Sequence, residues 1–215
     1  MEAVLIKDTA EAKKVIDTGK VPLIVDPDGA SITALKPDVV VDAILAKKNL
    51  GTNHSMAPLT VGLGPGFTAG VDVDIVIETM RGHNLGRIIR EGSAIPNTGI
   101  PGNIGGYTAE RVIHAGAEGI LYNVHKIGDI VEQGEEIAYI AGEKENRRYS
   151  VTATIPGIIR GLIRDGYPVT KGFKITDIDP RKSELSNCFT ISDKARCIAG
   201  SVLEVVCAFG SNILS

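Results

Sequence analysis

A chain of 215 residues, 43% apolar and 23% charged, has room for one large or two small domains and the make-up of an ordinary globular protein. A formal net charge of −3 supplies no basic field for nucleic acid, and no apolar run reaches membrane-spanning length, so neither partner is expected. Three scattered cysteines argue against a disulfide framework, and the N-terminus lacks the basic-then-apolar order of a signal peptide; the expected location is the cytoplasm.

The chain opens on a strand-like run, Met1 to Asp8. Asp8 can cap a helix through Glu11, Ala12 and Val15 that stops at Gly19. Val21 to Val25 reads as a buried strand closed by the turn Asp26-Pro27-Asp28-Gly29. A second apolar run, Val39 to Leu45, carries Asp42 in its middle and leads into Lys47-Lys48. Leu59 to Leu63 runs into the glycine-rich turn Gly62-Leu63-Gly64-Pro65-Gly66-Phe67, and Val71 to Ile77 ends in Glu78-Thr79-Met80-Arg81-Gly82-His83-Asn84. Strand, helix, strand and further apolar runs predict an α/β domain over residues 1–106, a partial Rossmann-like open sheet that begins abruptly, as if its first strand-turn-helix were missing.

Past Gly106 an internal repeat appears. Ala115-x-x-x-Gly119-Ile120 recurs thirty-eight positions later as Ala153-x-x-x-Gly157-Ile158. The same offset pairs Leu121 with Ile159, Val124 with Leu162, Gly128 with Gly166, Val131 with Val169, Gly134 with Gly172, Ile137 with Ile175 and Ile140 with Ile178. Each copy is too small to bury a face alone, and two interleaved copies predict a small β-sandwich. The rhythm resembles the biotinyl/lipoyl-type domain, which implies a small all-β barrel-sandwich hybrid over 107–181. In carriers of that type the central hairpin bears a modified lysine. Here Lys144 is its only lysine and no methionine flanks it, so covalent biotin or lipoate is not expected. Beyond Arg181, Cys188 to Ile191 reads as extended. Ser192-Asp193 can cap a helix with Ile198, Val202, Val205 and Val206 on one face, which makes 182–215 a C-terminal strand and helix returning to the first domain.

Loops at strand ends that expose amides beside cations suit an anionic ligand. The residues expected to line such a site are Gly64, Gly66, Arg81, His83, Arg87, Asn97 and Thr98, with Asp42 and Lys47 in support. Arg81 and Arg87 flank Gly82 and Gly86 and can grip a phosphate bidentately. His83 is the candidate acid/base. Asp42, inside an apolar run, needs a partner, for which Lys47 or Lys48 is at hand. Asp26 and Asp28 read as turn-capping residues. Asp42 or Glu78 holding Mg²⁺ with His83 as acid/base describes an enzyme acting on a phosphorylated or nucleotide substrate. No metal motif appears: His54, His83, His114 and His125 lie far apart and there is no Cys-x-x-Cys. Cys188, Cys197 and Cys207 are expected as reduced, buried thiols.

Long stretches resemble one family. LKPDVVVDAILAKKNLGT, APLTVGLGPGFTAG, IETMRGHNLGR, PNTGIPG, GGYTAERV, RGLIRDG, KGFKITDIDPR and CFTISDKAR together are similar to the YqeB family, over essentially the whole chain. The resemblance implies an accessory protein that matures a selenium-dependent molybdenum hydroxylase. Its partners would be that hydroxylase or other maturation proteins, and its ligand an anionic small molecule such as a nucleotide or molybdopterin-type cofactor. It also implies a glycine-rich first segment of the Gly-Gly-Gly-Asp-Leu-Ala kind, which this sequence lacks. A non-catalytic scaffold that docks the hydroxylase through its barrel is the third expectation.

Overall fold

A computed structural model describes residues 1–99, 102–142 and 147–213. Lys144 lies outside them. The chain forms two compact units, one of Met1–Asn97 together with the chain from Asp193, the other of Thr98–Ser192.

In the first unit, β1 (Ala3–Ile6) pairs in parallel with β2 (Val21–Ile24), joined through a 3-10 turn and the five-residue helix α1 (Ala12–Ile16). Leu5 and Leu23 stand opposite each other in that pair and are exposed. The six-residue α2 (Ala30–Leu35) leads to β3 (Val39–Asp42). Then come β4 (Leu59–Leu63), β5 (Thr68–Ala69), β6 (Ile75–Ile77), β7 (Ile88–Ile89) and β8 (Gly92–Ser93). Strands β3, β4 and β6 run parallel, β7 closes the edge antiparallel, and β5 pairs with β8 in a separate two-stranded sheet.

Strand β4 is buried at every position, as a central parallel strand must be. Its Leu59, Val61 and Leu63, with Ile75 and Ile77 of β6, meet Ile198 and Val205 of the long helix α3 (Asp193–Ile213). On the other face Phe67 packs with Ala69, Val73, Val76 and Ala94. Gly62 makes this possible, because a Cβ there would stand 2.5 Å from the Phe67 ring.

The second unit carries β9 (Val112–His114), β10 (Gly119–Asn123), β11 (Ile130–Val131), β12 (Glu136–Ala141), β13 (Arg148–Thr152), β14 (Gly157–Leu162), β15 (Tyr167–Val169) and β16 (Lys174–Asp179). They form two antiparallel sheets, ordered β13-β12-β10-β15 and β11-β14-β16-β9. The sequence repeat recurs as exchanged hydrogen bonds. The Gly128 amide donates to the Ile159 carbonyl and the Gly166 amide to Leu121, each at 2.8 Å. Gly134 and Gly172 do the same to Ala153 and Ala115, again at 2.8 Å. Core residues match by the same offset: Ile113 with Val151, Ala115 with Ala153, Leu121 with Ile159, Val131 with Val169, Ile137 with Ile175, Ile140 with Ile178. Val124, expected in that set, is exposed, and its counterpart Leu162 only borders the core.

The expected fold class is overturned. A Rossmann-like sheet needs helical crossovers to cover its faces. Here the links β3–β4 and β4–β6 hold only a 3-10 turn (His54–Met56) and strand β5, and the helix covering one face comes from α3. The expected pairing of such a sheet with a barrel-sandwich hybrid goes with it: residues 107–181 contribute two of the five small sheets of the described chain, each four-stranded and antiparallel. Among the described residues strands predominate over helices, in five small sheets with three α-helices. The unit boundaries also differ from those expected, falling at Asn97 and Asp193 instead of near 106 and 181. Residues 182–189, expected to lead into an extended segment from Cys188, form a 3-10 helix, and Thr190 at its end is extended.

Asp179, at the end of β16, is buried and gripped by Arg181 (2.7 and 2.9 Å) and Arg160 (2.6 Å). Burial alone would raise its pKa, but the Arg181 and Arg160 contacts outweigh it and hold the carboxyl well below the usual range. A carboxyl depressed in the folded state contributes stability above its unfolded pKa and loses it as pH falls. Acidification below roughly pH 4 is therefore expected to lower the melting temperature, and Asp179→Asn to flatten that acid limb.

At Gly119 and Gly157 an added Cβ would collide with the carbonyl oxygens of Ala141 and Asp179, the same contact in the two copies. Gly157→Ala is expected to cost about 3 kcal/mol in chemical denaturation. Gly161→Ala, whose Cβ would meet nothing closer than Asp177 at 3.7 Å, should stay within about 1 kcal/mol of wild type.

Candidate anion-binding site

Strands β3, β4 and β6 end on one side of their sheet, at Asp42, Leu63 and Ile77. Connecting loops gather at such carboxyl ends, and ligands of open parallel sheets bind there.

After β3, the buried Asp42 accepts from the Ile44 amide (3.0 Å) and the Thr52 hydroxyl (2.7 Å). These bonds close a loop in which Leu45 and Lys47 take φ of 58° and 66°. A left-handed backbone costs a side-chain-bearing residue about 1–2 kcal/mol, so the surroundings must enforce it. Gly66 supplies part of that enforcement, with its missing Cβ 2.6–2.8 Å from the Lys48 main chain. Gly64 (φ 82°) likewise lies tight against Thr79, and its amide is spent on the Ile77 carbonyl at 2.8 Å.

After β6, Glu78 is buried and accepts from two amides, Met80 at 2.7 Å and Ile95 at 2.8 Å. It ties the turn after β6 to the chain after β8. Three residues on, the Arg81 guanidinium spans both carboxylate oxygens of Asp193, the first residue of α3, at 2.9 and 3.1 Å. That contact, then the Lys194 amide, lowers the Asp193 pKa to about 2. The next residue, Lys194, is half-buried. Burial first, then the charges of Lys47 and Arg81, lower its pKa, with Glu78 opposing. Lys47 and Arg81, from two other stretches of chain, thus each repel the charge of Lys194 beside the start of α3. An anion among them would relieve the repulsion and favour the charged form of Lys194.

Of the residues singled out in the sequence, Lys47 and Arg81 both act on the charge of Lys194. Asp42 and Glu78 hold the neighbouring loops, as acceptors of loop donors. Asp42 is partnered by Ile44 and Thr52, where Lys47 or Lys48 was expected. Gly64 and Gly66 turn their bare faces to protein, not to a ligand. His83 and Arg87 are exposed in the turn after β6, and His83 has no hydrogen-bond partner among the described residues. Asn97 is exposed at the end of the first unit, while Thr98 belongs to the second. Asp26 fastens the first turn of α2 through the Ala30 (3.0 Å) and Ser31 (2.7 Å) amides. Cys197 and Cys207, expected to be buried, are exposed on α3, and Cys188 is half-buried. Among the described residues no group of three or more His, Cys, Asp and Glu is placed to hold a metal ion, and no helix is long and apolar enough to cross a membrane.

Sequence reasoning missed Asp193 and Lys194. Both lie 112 or more positions from Arg81, and the available signal was an acid and a base at the start of the returning helix.

Comparison with known proteins places the chain. It is 52% identical over 202 residues, 94% of its length, to "Uncharacterized protein YqeB" of Escherichia coli (strain K12). The chain belongs to the YqeB family. It spans only 36% of the length of that YqeB relative. No family model matches it. Among solved structures, a succinylglutamate desuccinylase from a Silicibacter species overlaps at 14% identity over 60% of this chain and 46% of that one, with a TM-score of 0.31. A succinylglutamate desuccinylase/aspartoacylase from Rhodobacter sphaeroides overlaps at 21% identity over 33% and 22%, with a TM-score of 0.30. Overlaps that partial carry no argument about this YqeB-family chain.

Replacing Glu78 by Gln turns one acceptor into a donor that faces a main-chain N–H. Glu78→Gln is expected to cost about 2 kcal/mol in denaturant unfolding, because a buried amide loses its partner.

Proposed function

We propose that this chain binds an anionic ligand at the carboxyl edge of the β3–β4–β6 sheet, as part of an accessory factor that matures a selenium-dependent molybdenum hydroxylase. The observation that supports binding is the gathering of Lys47, Arg81 and Lys194 beside the first turn of α3. The maturation role is supported by membership of the YqeB family and by what that resemblance implies. A nucleotide or a molybdopterin-type cofactor fits the chemistry, since each presents phosphate to guanidinium and ammonium groups. Binding is favoured over turnover. Asp42 and Glu78 are engaged in holding loops, and His83 lacks an orienting partner among the described residues.

Calorimetry against nucleoside diphosphates and pterin phosphates tests this. Lys47→Ala/Lys194→Ala is expected to weaken binding about tenfold, with a shallower salt dependence. An unchanged affinity in that double variant would overturn the site.

A further inference from the structure

Strands β1 and β2 lie side by side in parallel, with Ala3 opposite Val21 and Leu5 opposite Leu23. These four side chains share one face of the pair. None is charged and all are exposed, Leu5 at 66%, Leu23 at 56% and Val21 at 43%. Val25, just past β2 in the same alternation, is 81% exposed. The intervening positions, Val4, Ile6, Pro22 and Ile24, are buried or half-buried, and α1 packs beside β2. One face is thus withdrawn from water while the other is bare. Parallel sheets are covered on both faces. The β3–β4–β6 sheet of the same unit obeys that rule, with α3 on one side and the Phe67 cluster on the other. A lone pair of strands with a bare apolar face is marginal in water.

We infer that the outer face of β1–β2 is an intramolecular docking surface of the YqeB family, covered by an apolar segment from the part of the longer YqeB chain that lies outside these 215 residues. The face carries no charge, and Glu2 and Lys20, just before the two strands, are closed on each other at 2.6 Å, so the cover it asks for is apolar. Size decides where that cover comes from. Stable contacts between separate proteins take roughly 20–30 residues a side, and this face offers five apolar ones. A segment joined to the same chain needs far less, because tethering raises its effective concentration to the order of millimolar. The Escherichia coli relative has chain to supply it: these residues span 36% of its length, which leaves nearly two-thirds outside the match. The match takes in 202 of the 215 residues, so β2 lies within it whichever end the remainder occupies. The anion site is independent of this surface, and each stands or falls alone.

The test compares this chain with the full-length Escherichia coli relative. Leu23→Cys here, and cysteine at the aligned position there, are labelled with a maleimide in native buffer and in urea, with the parent proteins as blanks for their own thiols. In this chain the native rate is expected within about threefold of the urea rate, and in the relative at least about tenfold below it. Val25→Cys and its aligned counterpart give the same reading from a position outside the strand, should Leu23→Cys lower the melting temperature. Equal labelling of the two proteins overturns the inference. So does protection in the relative that fades on dilution, which would mean a cover from another molecule. Protection in this chain accompanied by self-association in sedimentation overturns it as well, and gives the face to a second copy.

Discussion

The carboxylate of Glu78 sits almost wholly out of water between two main-chain amides from different stretches of chain. A buried charge without donors is costly, so these amides determine where the turn after β6 and the segment after β8 must run. Arg81 leaves from that same turn, and its reach toward α3 follows from the anchor. The helix is held separately, by Ile198 and Val205 against the sheet. The cations are therefore borne on a frame of apolar contacts and buried polar bonds. The exposed Arg81–Asp193 pair is too well solvated to hold that frame.

The second unit shows how differently the two sides of a sheet are constrained. Facing the core, the repeat keeps Leu121 with Ile159 and Ile140 with Ile178. On the outer side the copies have parted. Tyr122 stacks on Tyr139 at 5.3 Å, with the Arg148 guanidinium 4.2 Å from the Tyr139 ring. Their counterparts are Arg160 and Asp177, which join ion pairs with Asp179 and Arg111. Close packing tolerates little change in volume inside, whereas solvent accepts either chemistry outside.

Much of this was legible in the sequence, for reasons that can be named. Leu59–Leu63 carries no charged residue and reads as a strand, in keeping with its burial on both faces. The repeat showed because Gly119 and Gly157 meet the same backbone obstacle, and so recur at a fixed offset. Asp42 and Glu78 stood out as carboxylates in apolar surroundings, and both are buried. Their partners were hidden, because main-chain amides carry no mark in a sequence. Fold class misled because apolar runs separated by turns look alike whether helices or loops connect them. The glycines of the 62–66 turn looked ligand-facing, yet Gly64 and Gly66 admit Thr79 and the Lys48 backbone. Lys194 was out of reach for a simpler reason: only the return of the chain along the sheet brings it to Arg81.

The exchanged bonds between the repeats have one more consequence. Gly128 binds Ile159 and Gly166 binds Leu121, so each half completes its ladder only with strands from the other. Those ladders are satisfied equally when the complementary half belongs to a second polypeptide. The choice between the two outcomes is made by loop-closure entropy and concentration, not by the contacts themselves. Refolding at high concentration is where intertwined dimers of this unit would form, and dilution is what favours each molecule closing on itself.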